Sequence, residues 1–236
     1  KKIDIDKDIF EKNIKLEELF SFYKTDKAKY LEENAKGNKL SGHGYTEFYE
    51  KHFSDFRNKE INILEIGSAY GAAASAFAKY FSKSNIYCLD INLTNFIYRS
   101  NQIYPFGIDA TNIEMVNKFL KKINFSKDLV NFDIIIDDGS HILSHQLKAL
   151  NIFFKLVSPG GYYVVEEYKF PEYFEHLNDT DDPPLSKIIE DIKNKKNISV
   201  KLFNEETLRF LKIENLKIFE YKGDQKISDI VFLKKL

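Results

Sequence analysis

The sequence predicts an α/β protein whose mostly parallel sheet is covered by helices on both faces. Short apolar runs alternate with helix-like stretches from residue 61 onward. The runs are apolar at consecutive rather than alternate positions, which is typical of strands buried on both sides, as in parallel sheets. Strands that alternate with helices in this way indicate a layered α/β domain.

Four strands and four helices are predicted in the first part of this domain. The predicted strands are Ile61–Ile66, Ile86–Asp90, Phe132–Asp137 and Tyr162–Glu166. The predicted helices are Gly71–Ser82, Leu93–Asn101, Asn112–Lys122 and Ile142–Val157. In the tail, Val200–Phe203 is a further apolar run, and we expect Leu216–Tyr221 to pair with Asp229–Leu233 as an antiparallel hairpin. The loop Asp179–Pro184 is a candidate substrate lid, although Asp181 and Asp182 are more typical of a plain surface loop than of a substrate contact.

The first sixty residues have a different, helical character. Leu16, Leu19, Phe20 and Tyr23 recur at helical spacing, and a second group does the same from Tyr45 to Phe53. We therefore predict an N-terminal helical cap over residues 1–58 and a catalytic domain over residues 59–236.

Composition excludes several classes of protein. The 236 residues carry 36 acidic and 35 basic side chains, so binding of nucleic acid by bulk charge is not expected. Cys88 is the single cysteine, which excludes an intrachain disulfide and favours a reducing, cytoplasmic location. No apolar run approaches the roughly 20 residues of a membrane span, and the first ten residues lack a signal-peptide core.

A glycine-containing loop follows the first predicted strand. It runs from Glu65 through Gly67, Ser68 and Tyr70 to Gly71, where a helix is expected to begin. Glycines at such a turn let the backbone approach a ligand, and Asp90, at the end of the next strand, can bind ribose hydroxyls. The alternative is an ordinary strand-to-helix turn with an unrelated acid on the next strand.

The type of nucleotide is indicated by Glu65. A dinucleotide site favours three glycine positions, whereas only Gly67 and Gly71 are present here. A carboxylate would repel a pyrophosphate but suits a ligand that carries an ammonium group. The loop resembles the first motif of class I S-adenosylmethionine-dependent methyltransferases, with Ala69 in place of their usual middle glycine.

Acids also follow the two later strands. Asp137 and Asp138 precede Gly139, Ser140 and His141, and the next strand ends in Glu166-Glu167. Because the carboxyl ends of parallel strands meet at one edge, Asp138, Glu166 and Glu167 can converge as hard oxygen ligands for Mg²⁺. The alternative is that Asp138 and His141 cap the following helix and the glutamates are solvated. A zinc site is disfavoured because Cys88 lies on another strand, and His145 is expected to support the site or face solvent rather than bind metal with His141.

Five segments in one order extend this pattern: Tyr23–Lys27, His43–Tyr45 with Tyr49, Leu64–Gly67, Ile135–His141 and Pro159–Glu167. With them the chain resembles the metal-dependent O-methyltransferases of macrolide deoxysugars and similar bacterial enzymes acting on capsule or surface sugars. The resemblance covers roughly residues 20–167. It implies a Rossmann-like class I methyltransferase fold, with a mostly parallel seven-stranded sheet, an antiparallel C-terminal hairpin and an N-terminal helical cap.

The same resemblance implies roles for individual residues. Asp138, Glu166 and Glu167 would bind Mg²⁺, with Glu-Glu standing where the family often has Glu-Asp, and His141 would be the base beside Asp138. S-adenosylmethionine would contact Glu65, Gly67, Ser68, Tyr70, Gly71, Asp90, Asp109 and Asp137. Thr25 and Lys27 are expected either to close over the cofactor or to cap a following helix, and His43 and Tyr45 either to contact the cofactor or to pack the cap.

The expected activity is therefore O-methylation of a sugar hydroxyl, on a nucleotide-linked sugar or on a capsule or antibiotic sugar precursor. The expected partner is this small molecule, without nucleic acid, and a homo-oligomer is compatible with the sequence. A catechol-type enzyme and an N-methyltransferase are alternatives within the class. An NAD-dependent oxidoreductase and a non-catalytic nucleotide-binding module are alternatives outside it.

Overall fold

The protein is described by a computed structural model that covers residues 2–33, 39–123 and 131–236. The strands of this part of the chain, numbered β1 to β11 in order, are Ile3–Asp4, Tyr30–Glu33, Lys39–Ser41, Ile61–Ile66, Ser84–Asp90, Tyr98–Arg99, Ile103–Gly107, Phe132–Asp137, Val157–Glu166, Leu216–Lys222 and Asp229–Lys235. The α-helices, numbered α1 to α8, are Leu16–Tyr23, Thr46–Phe53, Ala72–Tyr80, Ile113–Ile123, Leu143–Phe153, Phe170–Tyr173, Leu185–Lys193 and Glu205–Phe210. None of these helices has the length and apolarity that crossing a bilayer requires.

The main sheet has seven strands in the order β10-β11-β9-β8-β4-β5-β7. The strands β4, β5, β7, β8 and β9 are parallel, while β11 lies antiparallel between β9 and β10. The predicted mostly parallel sheet with an antiparallel C-terminal hairpin is confirmed. From β4 the chain first builds outward to β5 and β7 and then returns to β8 on the other side of β4. This reversal creates a crevice at the carboxyl ends of β4 and β8, the usual ligand position in open α/β sheets.

The sheet is buried on both faces, as its apolar runs predicted. Neighbouring residues of β4 enter different cores, Leu64 with α5 and α7 on one face and Ile63 with α1, α2 and α3 on the other. Burial on both sides holds the parallel strands in register, because a slip of one residue would exchange the two faces.

The N-terminal residues pack directly on this sheet. The two predicted N-terminal helices are confirmed as α1 and α2, separated by the unpredicted pair β2 and β3. Phe20 of α1 lies edge-to-face with Phe77 of α3 at 5.4 Å, and His52 of α2 stacks 4.5 Å from Phe232 of β11. The division of the chain at residue 58 stays a prediction.

The helix predicted over Leu93–Asn101 is wrong. Only a single 3₁₀ turn forms at Leu93–Asn95, where the Asn92 side chain accepts a hydrogen bond from the Thr94 amide at 3.0 Å. The following residues form β6, which pairs in parallel with β1 near the N-terminus. A long-range strand pairing that the local pattern could not reveal therefore replaces the helix.

The apolar run Val200–Phe203 contains a turn and no strand. The amides of Lys201 and Leu202 donate to the Asp182 carboxylate at 2.7 and 3.3 Å, so they are not available to a sheet. The loop that contains Asp182 is thus anchored to the tail, and Asp179 accepts from the amide and hydroxyl of Ser144 at the start of α5.

Candidate active site

A cavity of about 420 Å³ lies at the crevice between β4 and β8. Its walls come from the ends of β4, β5, β7 and β8 and from α5. They include the predicted site residues Gly67, Asp90, Asp109, Asp137, Asp138 and His141. The structure therefore joins the predicted nucleotide side and the predicted reactive side in one space.

The loop after β4 is shaped by close backbone contacts. Gly67 has φ +84°, and a Cβ there would lie 2.0 Å from the carbonyl oxygen of Asp138, so the β4 and β8 loops touch at a position that only glycine allows. Ala69 also has a positive φ, +43°, which explains why glycine is the usual residue at this point of the motif. The Ala69 amide donates to Asp90 Oδ2 at 2.8 Å and fixes the acid at the cavity wall.

Other residues of this loop support it without facing the cavity. Ser68 is buried and its hydroxyl donates to the carbonyl of Glu65 at 3.2 Å. Gly71 precedes the first residue of α3, and the side chain of Tyr70 is 57% exposed outside the cavity lining. The predicted contact of Tyr70 with the cofactor stays a prediction.

Glu65 is a buried carboxylate without a full set of partners. Its Oε2 atom has no hydrogen-bond partner among the described residues. Burial raises the pKa of Glu65 to about 7. An orphaned, buried carboxylate oxygen is costly unless a ligand supplies the missing donor.

Asp109 also lines the cavity, and it accepts from the amide and hydroxyl of Thr111 at 2.8 and 2.7 Å, so its carboxylate is held in place. Asp137, at the end of β8, is buried and accepts from the Tyr163 hydroxyl at 3.3 Å. Burial raises the pKa of Asp137 to about 7.

The three acids predicted to bind metal meet at the ends of β8 and β9, together with an unexpected cation. Lys27 contacts Asp138 Oδ2, and its Nζ lies 2.8 Å from Glu166 Oε2. Burial acts to lower the pKa of Lys27, but the charges of Asp138 and Glu166 outweigh it and raise this pKa well above its usual range. Lys27 therefore lies charged inside the acid cluster.

The segment Thr25–Lys27 does not cap a helix. It follows the end of α1, where Lys24 adopts a left-handed conformation, and it leads toward β2. Thr25 and Lys27 are both buried, so the segment is an inner wall of the acid cluster rather than a helix start.

Asp138, His141 and Glu167 form the cluster best suited to a metal ion. One ligand atom from each lies within 4.8 Å of the other two, with His141 Nε2 placed 3.8 Å from Asp138 Oδ1 and 3.9 Å from Glu167 Oε2. Burial lowers the pKa of His141, which keeps its imidazole neutral at pH 7. His145 points instead to Ser140, with Nδ1 2.8 Å from the hydroxyl oxygen.

Tyrosines of the N-terminal region hold the glutamate pair, a role that the sequence analysis missed. Tyr49 donates to Glu166 Oε1, and Tyr45 donates to Glu167 Oε1. His43 stacks on Tyr45, and its Nδ1 lies 3.1 Å from Glu167 Oε1. Burial raises the pKa of Glu167 to about 8. The available signal was tyrosine, rather than phenylalanine, at buried helical positions, because a buried hydroxyl needs a partner.

The arrangement of the sheet and its edge cavity is that of the Rossmann-like class I methyltransferase fold. The MycE methyltransferase of the mycinamycin biosynthetic pathway, in complex with Mg, SAH and mycinamycin VI, superimposes with a TM-score of 0.69 at 24% identity over 95% of this chain and 55% of that chain. A structure of MycE with Mg and SAH gives a TM-score of 0.67 at 25% identity, over 94% and 55% of the two chains. The predicted fold class is confirmed.

Sequence relatives point to a narrower group. The mycinamicin VI 2''-O-methyltransferase of Micromonospora griseorubida is 31% identical over 159 residues, which cover 64% of this chain and 35% of that protein. The demethylmacrocin O-methyltransferase of Streptomyces fradiae is 30% identical over 151 residues, which cover 61% and 36%. The predicted resemblance to sugar O-methyltransferases is confirmed, although the chain spans only about a third of the length of these curated relatives. No protein-family model matches the chain.

Proposed function

We propose that this protein is an S-adenosylmethionine-dependent O-methyltransferase that methylates a hydroxyl group of a sugar. The observation that carries the proposal is that one cavity is lined both by Asp90 and Asp109 and by Asp138 and His141. Methyl transfer needs donor and acceptor held close together and in line, and one cavity with two chemically different sets of side chains could bind both.

The nucleotide wall fits S-adenosylmethionine. The orphaned Oε2 of Glu65 would accept a hydrogen bond from the ammonium of the amino-acid part. Asp90, fixed by the Ala69 amide, would bind the ribose hydroxyls, and Asp109 would lie near the adenine. Gly67 lines the cavity, where its backbone would approach the ligand.

The acid wall fits a hard divalent cation such as Mg²⁺. Asp138 and Glu167 would hold it with carboxylate oxygens, the ligand type that Mg²⁺ prefers. The resemblance implies Glu166 as a third ligand, but its two oxygens already contact Lys27 and Tyr49. A bound cation lowers the pKa of an acceptor hydroxyl and orients it.

His141 would take the proton from that hydroxyl. Its imidazole is kept neutral by burial, as a base must be, and Nε2 lies between Asp138 and Glu167, which can stabilise the imidazolium formed. The Phe170 ring lies 4.8 Å from the His141 ring and provides an apolar surface beside the reacting group. The acceptor would be a nucleotide-linked sugar or a capsule or antibiotic sugar precursor, whose ring presents C–H groups to such a surface.

Two measurements test the proposal. Calorimetric titration should show binding of S-adenosylmethionine but not of NAD, and Asp90→Asn should weaken it by about tenfold or more, as expected for the loss of a charged hydrogen-bond acceptor. A labelled-methyl screen over nucleotide-linked sugars and glycosylated macrolides, with and without Mg²⁺, should identify the acceptor. Binding of NAD alone would contradict the proposal.

A further inference from the structure

Lys27 is the buried cation of the acid cluster. Its side chain is 2% exposed, and its ammonium contacts carboxylates from two different strand ends, Asp138 after β8 and Glu166 at the end of β9. A lysine at this depth is stable only with paired charges, so the ammonium neutralises part of the charge that a metal ion would otherwise neutralise.

The contacts of Glu166 differ from those of a free metal ligand. One of its carboxylate oxygens faces Lys27 at 2.8 Å, and the other accepts from Tyr49. Glu167, by contrast, directs only Oε1 toward Tyr45 and His43, while Oε2 faces His141. Both glutamates are buried, but their contacts differ: both oxygens of Glu166 face protein donors, whereas one oxygen of Glu167 lies in the cluster with His141 and Asp138.

Asp138 contacts both Lys27 and the residues that could hold a metal ion. Its Oδ2 contacts Lys27, and its Oδ1 faces His141 in the cluster that could hold a metal. A divalent ion bound at Oδ1 would lie on the same carboxylate as the ammonium, and the two cations would repel each other.

We propose that Lys27 is an internal counter-ion that removes Glu166 from the metal's ligands and weakens divalent-cation binding in the absence of acceptor. The inference rests on the proposed function, because it concerns the same site. Asp138 and Glu167 then hold the ion with too few carboxylates for tight binding, and oxygens of the acceptor complete the coordination. Magnesium is commonly bound in this way, by one or two carboxylates together with substrate oxygens.

Titration of the full chain with Mn²⁺, followed by electron paramagnetic resonance without acceptor, tests the proposal. Lys27→Met keeps a long side chain but removes the charge, and it should tighten Mn²⁺ binding by about tenfold or more, the range expected for groups around metal ligands. Lys79→Met is the matched control, because Lys79 is a partly buried lysine that donates to the Asp8 carbonyl at 2.9 Å, away from the acids. It should leave Mn²⁺ affinity unchanged.

If Lys27→Met does not fold, two glutamate variants test the same proposal. Glu167→Gln should weaken Mn²⁺ binding at least about tenfold more than Glu166→Gln, because only Glu167 presents an oxygen to the ion. The proposed role of Lys27 would be overturned if Glu166→Gln and Glu167→Gln lost Mn²⁺ affinity equally. It would also be overturned if Lys27→Met bound Mn²⁺ no more tightly than wild type. If neither the wild-type protein nor Lys27→Met binds Mn²⁺ at millimolar concentration, the proposed role of Lys27 is also overturned. Titration of the wild-type protein with S-adenosylhomocysteine separates this failure from failure of the methyltransferase proposal, since a protein that binds this nucleotide retains the proposed activity class whatever Lys27 does.

Discussion

Backbone strain is concentrated at the residues of the candidate site. Among the described residues, the non-glycine positions with positive φ include Ala69, His141 at +57° and Glu167 at +46°. Each such conformation costs about 1–2 kcal/mol for an L-residue, and it persists only where surrounding contacts impose it. In this protein the strained backbone directs the His141 and Glu167 side chains toward Asp138, so it helps to form the cluster of these three residues.

Replacement of His141 by Gln should lower kcat by about 10²–10⁴-fold, the usual contribution of a general base. Glutamine retains a polar side chain but cannot accept the acceptor's proton. Calorimetry should show S-adenosylmethionine affinity within about twofold of wild type, because binding energy on the other wall is untouched. The control is His176→Gln, since His176 is an exposed histidine beyond Phe174 and should retain activity. Unchanged turnover of His141→Gln would remove His141 from the mechanism.

At the scale of elements, α2 connects the site to the sheet. Tyr49 on one turn reaches Glu166, and His52 on the next packs among Phe219 and Phe232 of the C-terminal hairpin. His52 is 8% exposed, and its Nε2 lies 2.9 Å from the Tyr221 hydroxyl. Burial and the nearby charges of Lys51 and Lys234 lower the pKa of His52 to about 4.

This depressed pKa predicts a loss of stability in mild acid. Below the unfolded-state pKa of about 6.5 the unfolded chain binds a proton that folded His52 does not, so stability is full above that pH and falls as the pH decreases toward 4. Between pH 7.5 and pH 5 the contribution is up to about 2 kcal/mol. Urea unfolding should show this extra loss in wild type and not in His52→Phe, which keeps an aromatic ring. Equal pH dependence of the two proteins would contradict the assignment.

At the scale of the whole molecule, local sequence patterns predicted the buried strands, but they did not predict contacts between residues far apart in the sequence. Ile61–Ile66 and Phe132–Asp137 were predicted with the observed bounds, because apolar runs between loops define buried strands. The edge cavity followed from topology, since parallel strand ends must meet. The place of Lys27 was missed, because 111 residues separate it from Asp138 and no local pattern reports a buried ion pair.

The shared core predicts that the N-terminal region and the sheet unfold together. Leu16, Phe20 and Tyr49 lie in the same apolar cluster as Ile63 of β4 and Phe232 of β11, so α1 and α2 cannot detach without exposing one face of the sheet. Hydrogen exchange measured by mass spectrometry should give the most protected amides of α1, α2, β4 and β8 opening free energies within about 1 kcal/mol of one another. S-adenosylhomocysteine at a hundred times its Kd should raise all of them by about 2.7 kcal/mol, since it stabilises a single cooperative unit. Amides of α1 and α2 that open several-fold more readily than those of β4, and that do not respond to the ligand, would show instead that residues 1–58 are a separate cap.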